Sequence, residues 1–314
     1  MKGTDPRQGS EPSALRATAS ASSVSWAWLA AGLALLPLSV VAAPGVYHRL
    51  VDLGWLEPDE LAFAKVLRRC LLLPIAVIVL GYLRPWRDVT PRSMGLVGPR
   101  ARPRVGAIAF ALTVAAVLAL LATQVALGWL RVEVNEPAGR VLYRLGKTLL
   151  TGVVVGLIEE WLFRAWLPAR LGRRLPALAA GLVATTIFAG LHAFKPSHLG
   201  EPVEPTVAGA FEALGRWTST LVDPQAFGRS FLGLFLFGLL LLRLYRRAGT
   251  LWAPAGVHAA AAWLIFAYGA LTERGDTPGW AGSKLLYDGP LGWALLVLAW
   301  LLLAPRAPRS PTTA

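Results

Sequence analysis

Adjacent glutamates, Glu159 and Glu160, interrupt an otherwise apolar run from Leu149 to Arg170 that is long enough to sit in a bilayer. Arg164 follows Glu160 by four positions, so those two side chains share a helical face and can pair. Consecutive helix positions are ~100° apart at 3.6 residues per turn, which points Glu159 elsewhere. An ionised side chain at mid-membrane costs roughly 2.5–3.5 kcal/mol on insertion scales. This run carries three such groups. A structural Glu160–Arg164 pair explains two of them and leaves Glu159 over, so a working carboxylate is expected there.

Two histidines lie at comparable depth. One is His192, closing Phe188-Ala-Gly-Leu-His192 near the outer end of another apolar run; the other is His258, inside LWAPAGVHAAAAW. Measured from the inner helix ends at ~1.5 Å per residue, Glu159, His192 and His258 lie ~18, ~25 and ~13 Å deep. All fall within a ~30 Å hydrocarbon core, where tilted or broken helices could bring them together. Singly, each histidine is explained by a bond to a neighbouring carbonyl. Together with two intramembrane glutamates they point to acid–base chemistry. Gly152, Gly156, Gly181 and Gly190 would let helices approach closely around such a site. His48 and His198 read as surface residues, and Gln124, Thr185 and Thr186 as interhelical hydrogen-bonding groups.

The elements that position these residues are apolar helices. Of 314 residues 55% are hydrophobic and only 16% charged, the profile of an all-α polytopic membrane protein. The net charge of +13 sits in short segments between apolar runs, which fits loops facing a cytoplasm and an anionic leaflet and argues against nucleic acid. Cys70 is the single cysteine, so neither an intramolecular disulfide nor a Cys-based zinc site can form. Many of the 13 Trp, such as Trp26, Trp28, Trp86, Trp129 and Trp252, stand at the ends of apolar runs as interfacial anchors.

About eight transmembrane helices are expected. They are Val24–Ala43 (read as an uncleaved first helix), Leu61–Leu83, Val105–Leu130, Val141–Trp166, Leu175–Phe194, Ser230–Leu244, Leu251–Leu271 and Pro290–Ala304. The long connection between the fifth and sixth repeats Val207, Phe211, Leu214, Thr218 and Leu221 at helical spacing, which predicts a surface-lying amphipathic helix. Residues 1–23 read as a disordered tail, 24–130 as N-terminal membrane helices, 131–271 as the core that carries the polar clusters, and 272–314 as the last span and a basic tail. No internal repeat and no linker to a soluble domain is visible. With the N-terminus inside, the inner segments hold the larger share of the 31 Lys and Arg, which favours both termini in the cytoplasm.

Glu-Glu-x-x-x-Arg at 159–164, Phe-x-x-x-His at 188–192 and a late His258 after Leu-Trp-Ala-Pro resemble the motif set of the CPBP family, the CAAX-protease and bacteriocin-processing intramembrane endopeptidases. The resemblance covers about residues 140–265. It implies a peptidase of a bacterial inner membrane that cuts a membrane-anchored protein or peptide. The family's last motif usually places Asn four residues after the His, and this chain has Ala262 there. That departure leaves two alternatives: a non-catalytic scaffold or immunity-type protein, and a divergent branch that processes C-terminal sorting tails.

Peptide hydrolysis needs an activated water, charge stabilisation on the carbonyl oxygen and a proton for the leaving amine. The resemblance implies Glu159 as general base, holding the water with His192. It leaves Glu160 and Arg164 as a supporting pair and His258 as the oxyanion donor. The favoured version has no cofactor; a zinc version would use one Glu and two His with an open water position. The chain lacks His-Glu-x-x-His, the spacing that would favour zinc strongly. A proton-relay transporter would use similar carboxylates, but no inverted repeat with paired broken helices is seen.

Overall fold

The computed structural model describes residues 26–57, 62–77, 90–97, 101–134, 136–193, 203–269, 271–283 and 285–303. It is mostly helical, and its chain falls into two compact units, residues 1–84 with 201–212 and residues 85–200 with 213–314. In the first unit α1 (Trp26–Asp52) packs on α2 (Ala62–Val77). Helix α1 runs through Pro37 and Pro44, well past the expected end at Ala43. The part of the expected second span beyond Val77 lies outside the described residues.

The second unit contains α3 (Pro103–Ala126), β1 (Leu130–Val132), α4 (Ala138–Glu160), a π-helical turn (Trp161–Trp166), α5 (Leu167–Leu171) and α6 (Ala177–Ala193). After α7 (Val207–Val222), which crosses the boundary between the units, come α8 (Pro224–Ala248), α9 (Trp252–Tyr268), β2 (Thr272–Arg274) and α10 (Pro290–Leu302). Strands β1 and β2 form a short antiparallel ribbon with Arg131 opposite Glu273. Helix α9 packs along α3 and α4, and α8 along α6, α9 and α10.

Helices α3, α6, α9 and α10 are apolar on nearly all sides, the pattern of helices whose surroundings are themselves apolar. Ile108 and Leu112 on α3, Leu150 and Ile158 on α4, and Leu178 and Leu191 on α6 all face outward. The chain is an integral membrane protein. Among the described residues four helices are long and apolar enough to cross a bilayer: Ala30–Asp52, Pro103–Ala126, Ala138–Leu171 and Phe227–Ala248. The expected count of eight is not reached on that measure. Where further spans were expected, α9 and α10 have 17 and 13 residues, while α2 and α6 are described only as far as Val77 and Ala193. At ~1.5 Å per residue α9 and α10 fall short of a ~30 Å core.

Two local expectations are corrected. The helix expected at 141–166 is interrupted by the π turn. The helix expected in the long connection is present as α7, with Ala210, Ala213 and Trp217 buried and Val207 and Phe211 turned outward. Thr186 bonds Leu182 O of its own helix at 3.0 Å, and the buried Thr185 hydroxyl has no hydrogen-bond partner among the described residues. Neither threonine makes the expected interhelical bond.

Candidate active site

The register of α4 on α9 is set by small residues. Gly152, Gly156 and Glu160 recur every four residues and are the buried positions of α4. A Cβ at Gly152 would stand 2.7 Å from Ala259 O, and one at Gly156 would stand 2.9 Å from Ala259 N. Those contacts leave no room for a methyl group, so the backbones touch directly. The same face, one turn on, carries Glu160 against His258. On α6 Gly181 meets the Leu242 side chain of α8, whereas a Cβ at Gly190 would meet nothing within 4 Å. Among the described residues, Gly190 is not a point of close approach.

All five expected site residues gather in this unit. His258 Nδ1 lies 2.9 Å from Glu160 Oε1, and its Nε2 lies 3.5 Å from Glu159 Oε2. The two glutamates diverge around the helix yet meet on one imidazole, because the ring presents its nitrogens on different edges. His192 Nε2 is 3.3 Å from Glu159 Oε1 and 3.1 Å from Oε2, and its Nδ1 is 2.9 Å from Phe188 O. A carbonyl only accepts, so Nδ1 of His192 is the protonated nitrogen. Its Nε2 contact with Glu159 is then attractive only when one further proton lies between them, on either partner.

Glu160 and Arg164 form the expected pair, with Nε 3.4 Å from Oε2 and both side chains fully buried. Arg164 leaves α4 through the π turn, a rare insertion that is frequent at functional sites. Exposure divides the cluster. The Glu159 and His192 side chains are 22% and 27% exposed, while Glu160 is at 0% and His258 at 8%. Glu159 and His192 form the open edge, and Glu160, Arg164 and His258 the buried support.

Phe188 links these parts. Its ring lies 4.4 Å from that of His192 and 5.9 Å from that of His258, and the Arg164 guanidinium carbon sits 4.9 Å over it. Phe163 meets it edge-on at 5.4 Å, and Phe237 stands edge-on to His258 at 5.5 Å. The motif spacing contains Phe188 but gives it no role. The contacts make it the apolar wall that holds both imidazoles, within a buried cluster of Phe163, Phe188, Ala189 and Leu234. Ala262, half-buried one turn beyond His258, presents only a methyl group. His48 lies edge-on to Tyr47 in the other unit, and His198 is outside the described residues.

No set of three or more His, Cys, Asp or Glu side chains among the described residues has the arrangement to hold a metal ion. The Glu and His donors here are engaged with one another and with Phe188 O.

Residues 141–264 match the family model of type II CAAX prenyl endopeptidases, Rce1-like. This stretch contains the three motifs and all five clustered side chains, and it agrees with the resemblance to the CPBP family. No curated protein and no solved structure matches the chain.

Proposed function

We propose that the chain is an intramembrane peptidase that hydrolyses a peptide bond in a membrane-anchored protein or peptide, with residues 131–271 as its catalytic core. The observation that carries this reading is the convergence of two imidazoles on one partly exposed carboxylate, 3.1 and 3.5 Å from Glu159 Oε2. Glu159 accepts a proton from a water held against His192, and the resulting hydroxide attacks the carbonyl carbon. His258 donates to the oxygen that takes up the negative charge, in the manner of an oxyanion hole. When the intermediate collapses, the proton on Glu159 passes to the leaving amine. Glu160, held by Arg164, orients His258 from the opposite edge of its ring. No step calls for a metal. Both termini are placed in the cytoplasm of a bacterial cell.

Glu159→Gln tests this reading. It retains size and polarity but cannot take the proton, so processing of a membrane peptide should fall by two orders of magnitude or more, about 10²–10⁴ for one acid–base group. The variant should insert and fold as the wild type does. The scaffold reading is favoured by Ala262, which supplies no donor beside His258. It predicts undiminished partner binding by the Gln variant and no cleavage by either protein.

A further inference from the structure

On the side of Glu160 away from His258, several polar atoms are buried without a hydrogen-bond partner among the described residues. They are Glu160 Oε2, Arg164 Nη1 and Nη2, and Thr185 Oγ1. The three residues are 0%, 1% and 0% exposed. They are also neighbours. Arg164 Nε stands 3.4 Å from Glu160 Oε2. A Cβ placed on Gly238 of α8 would lie 2.7 Å from Thr185 Cγ2 and 3.5 Å from Arg164 Nη2, so α6 and the π turn face each other across that glycine.

A buried polar group left unpaired is costly, more so when charged, and several side by side call for a shared partner. The partner's chemistry is set by the walls. An apolar occupant would leave the guanidinium and hydroxyl unpaired, and the Glu160 carboxylate repels an anion while already balancing Arg164. Water suits all of them, accepting from Arg164 and Thr185 and donating to Glu160. Buried waters typically make two to four such bonds. Phe188 closes one side of the guanidinium without offering it an acceptor oxygen.

We propose that Glu160, Arg164 and Thr185, brought close together where α8 presents Gly238, form a hydration site that holds one or more water molecules inside the membrane-embedded core. This site does not depend on peptidase activity. Thr185→Val tests it, because the two side chains have nearly the same shape. If the hydroxyl anchors water, the valine variant in detergent should unfold about 2–4 °C below the wild type, and Thr185→Ser should retain most of the wild-type midpoint. If the hydroxyl is simply unpaired, valine should leave the midpoint unchanged or raise it, which overturns the proposal. A wild-type measurement stands beside this in case the valine variant does not insert. In arginine-labelled protein reconstituted in bilayers, solid-state NMR should detect magnetisation passing from water to a guanidinium signal that disappears in Arg164→Lys. Absence of that transfer also overturns the proposal.

Discussion

His258 Nδ1 meets Glu160 Oε1 at 2.9 Å across the α4–α9 contact, while the other oxygen of the same carboxylate faces Arg164. One buried carboxylate thus holds both an imidazole and a guanidinium. Removing its charge should leave Arg164 buried and uncompensated, at a cost of about 3–5 kcal/mol for one half of a buried pair. Glu160→Gln should therefore lower the thermal midpoint strongly. The double variant Glu160→Gln/Arg164→Met should recover much of that loss, since it removes the stranded cation as well. A double variant no more stable than Glu160→Gln alone would mean that the two groups are not energetically coupled.

The glycines of α4 give a contrast between neighbours. Gly152→Ala and Gly156→Ala each place a methyl against the α9 backbone at 2.7 and 2.9 Å, and overpacking of this kind costs about 1–3 kcal/mol. Because the same face carries Glu160, these variants should also lower turnover per folded molecule. Gly190→Ala meets no described atom within 4 Å, so it should leave turnover unchanged and hold or raise the midpoint, since alanine is favoured over glycine inside a helix by about 0.5–1 kcal/mol. Thermal unfolding and processing assays on the three single variants make the comparison.

The membership of this site was legible in the sequence because charge inside an apolar run has few bland explanations. Glu159, Glu160 and Arg164 could be singled out on that ground, and His192 and His258 once they were set beside the glutamates. Their partners were less legible. That Glu160 reaches His258 depends on where α4 crosses α9, and the backbone contacts of Gly156 with Ala255 and Ala259 set that crossing. Spacing along either helix does not contain it. The π turn left no mark either, since WLFRAW holds no Gly or Pro and reads as ordinary helix. Helices α3 and α4 stood out by length, α8 proved longer than the expected Ser230–Leu244, and α9 and α10 are too short to settle a span count by length and composition.

A chelator separates the two versions of the chemistry. The proposed reaction uses Glu159 and His192 on water directly, so exhaustive treatment with a zinc chelator should leave processing unchanged in purified protein. Loss of activity that returns on adding zinc, with zinc bound at one per chain and lost in His192→Ala, would replace the glutamate-only mechanism with a metal-dependent one.

Ala262 sits on α9 four residues after His258, so their side chains share a face. In the proposed reaction His258 alone donates to the developing oxyanion, and Ala262 adds only a methyl group. Ala262→Asn would offer a second donor one turn away at a half-buried position. One oxyanion donor is typically worth about 10²–10³ in turnover where geometry is ideal, and an added, unrefined one should give a smaller rise that is still readily measured. The gain should appear in kcat rather than KM, because the interaction forms only as charge develops on the carbonyl oxygen. Ala262→Leu controls for bulk, filling the same space without a donor, and should lower activity or leave it unchanged. If Asn and Leu lower kcat equally, the position is a packing site and the oxyanion is served elsewhere. His258→Ala then decides where: a folded variant that still processes substrate would remove His258 from the reaction and leave Glu159 with His192 as its working pair.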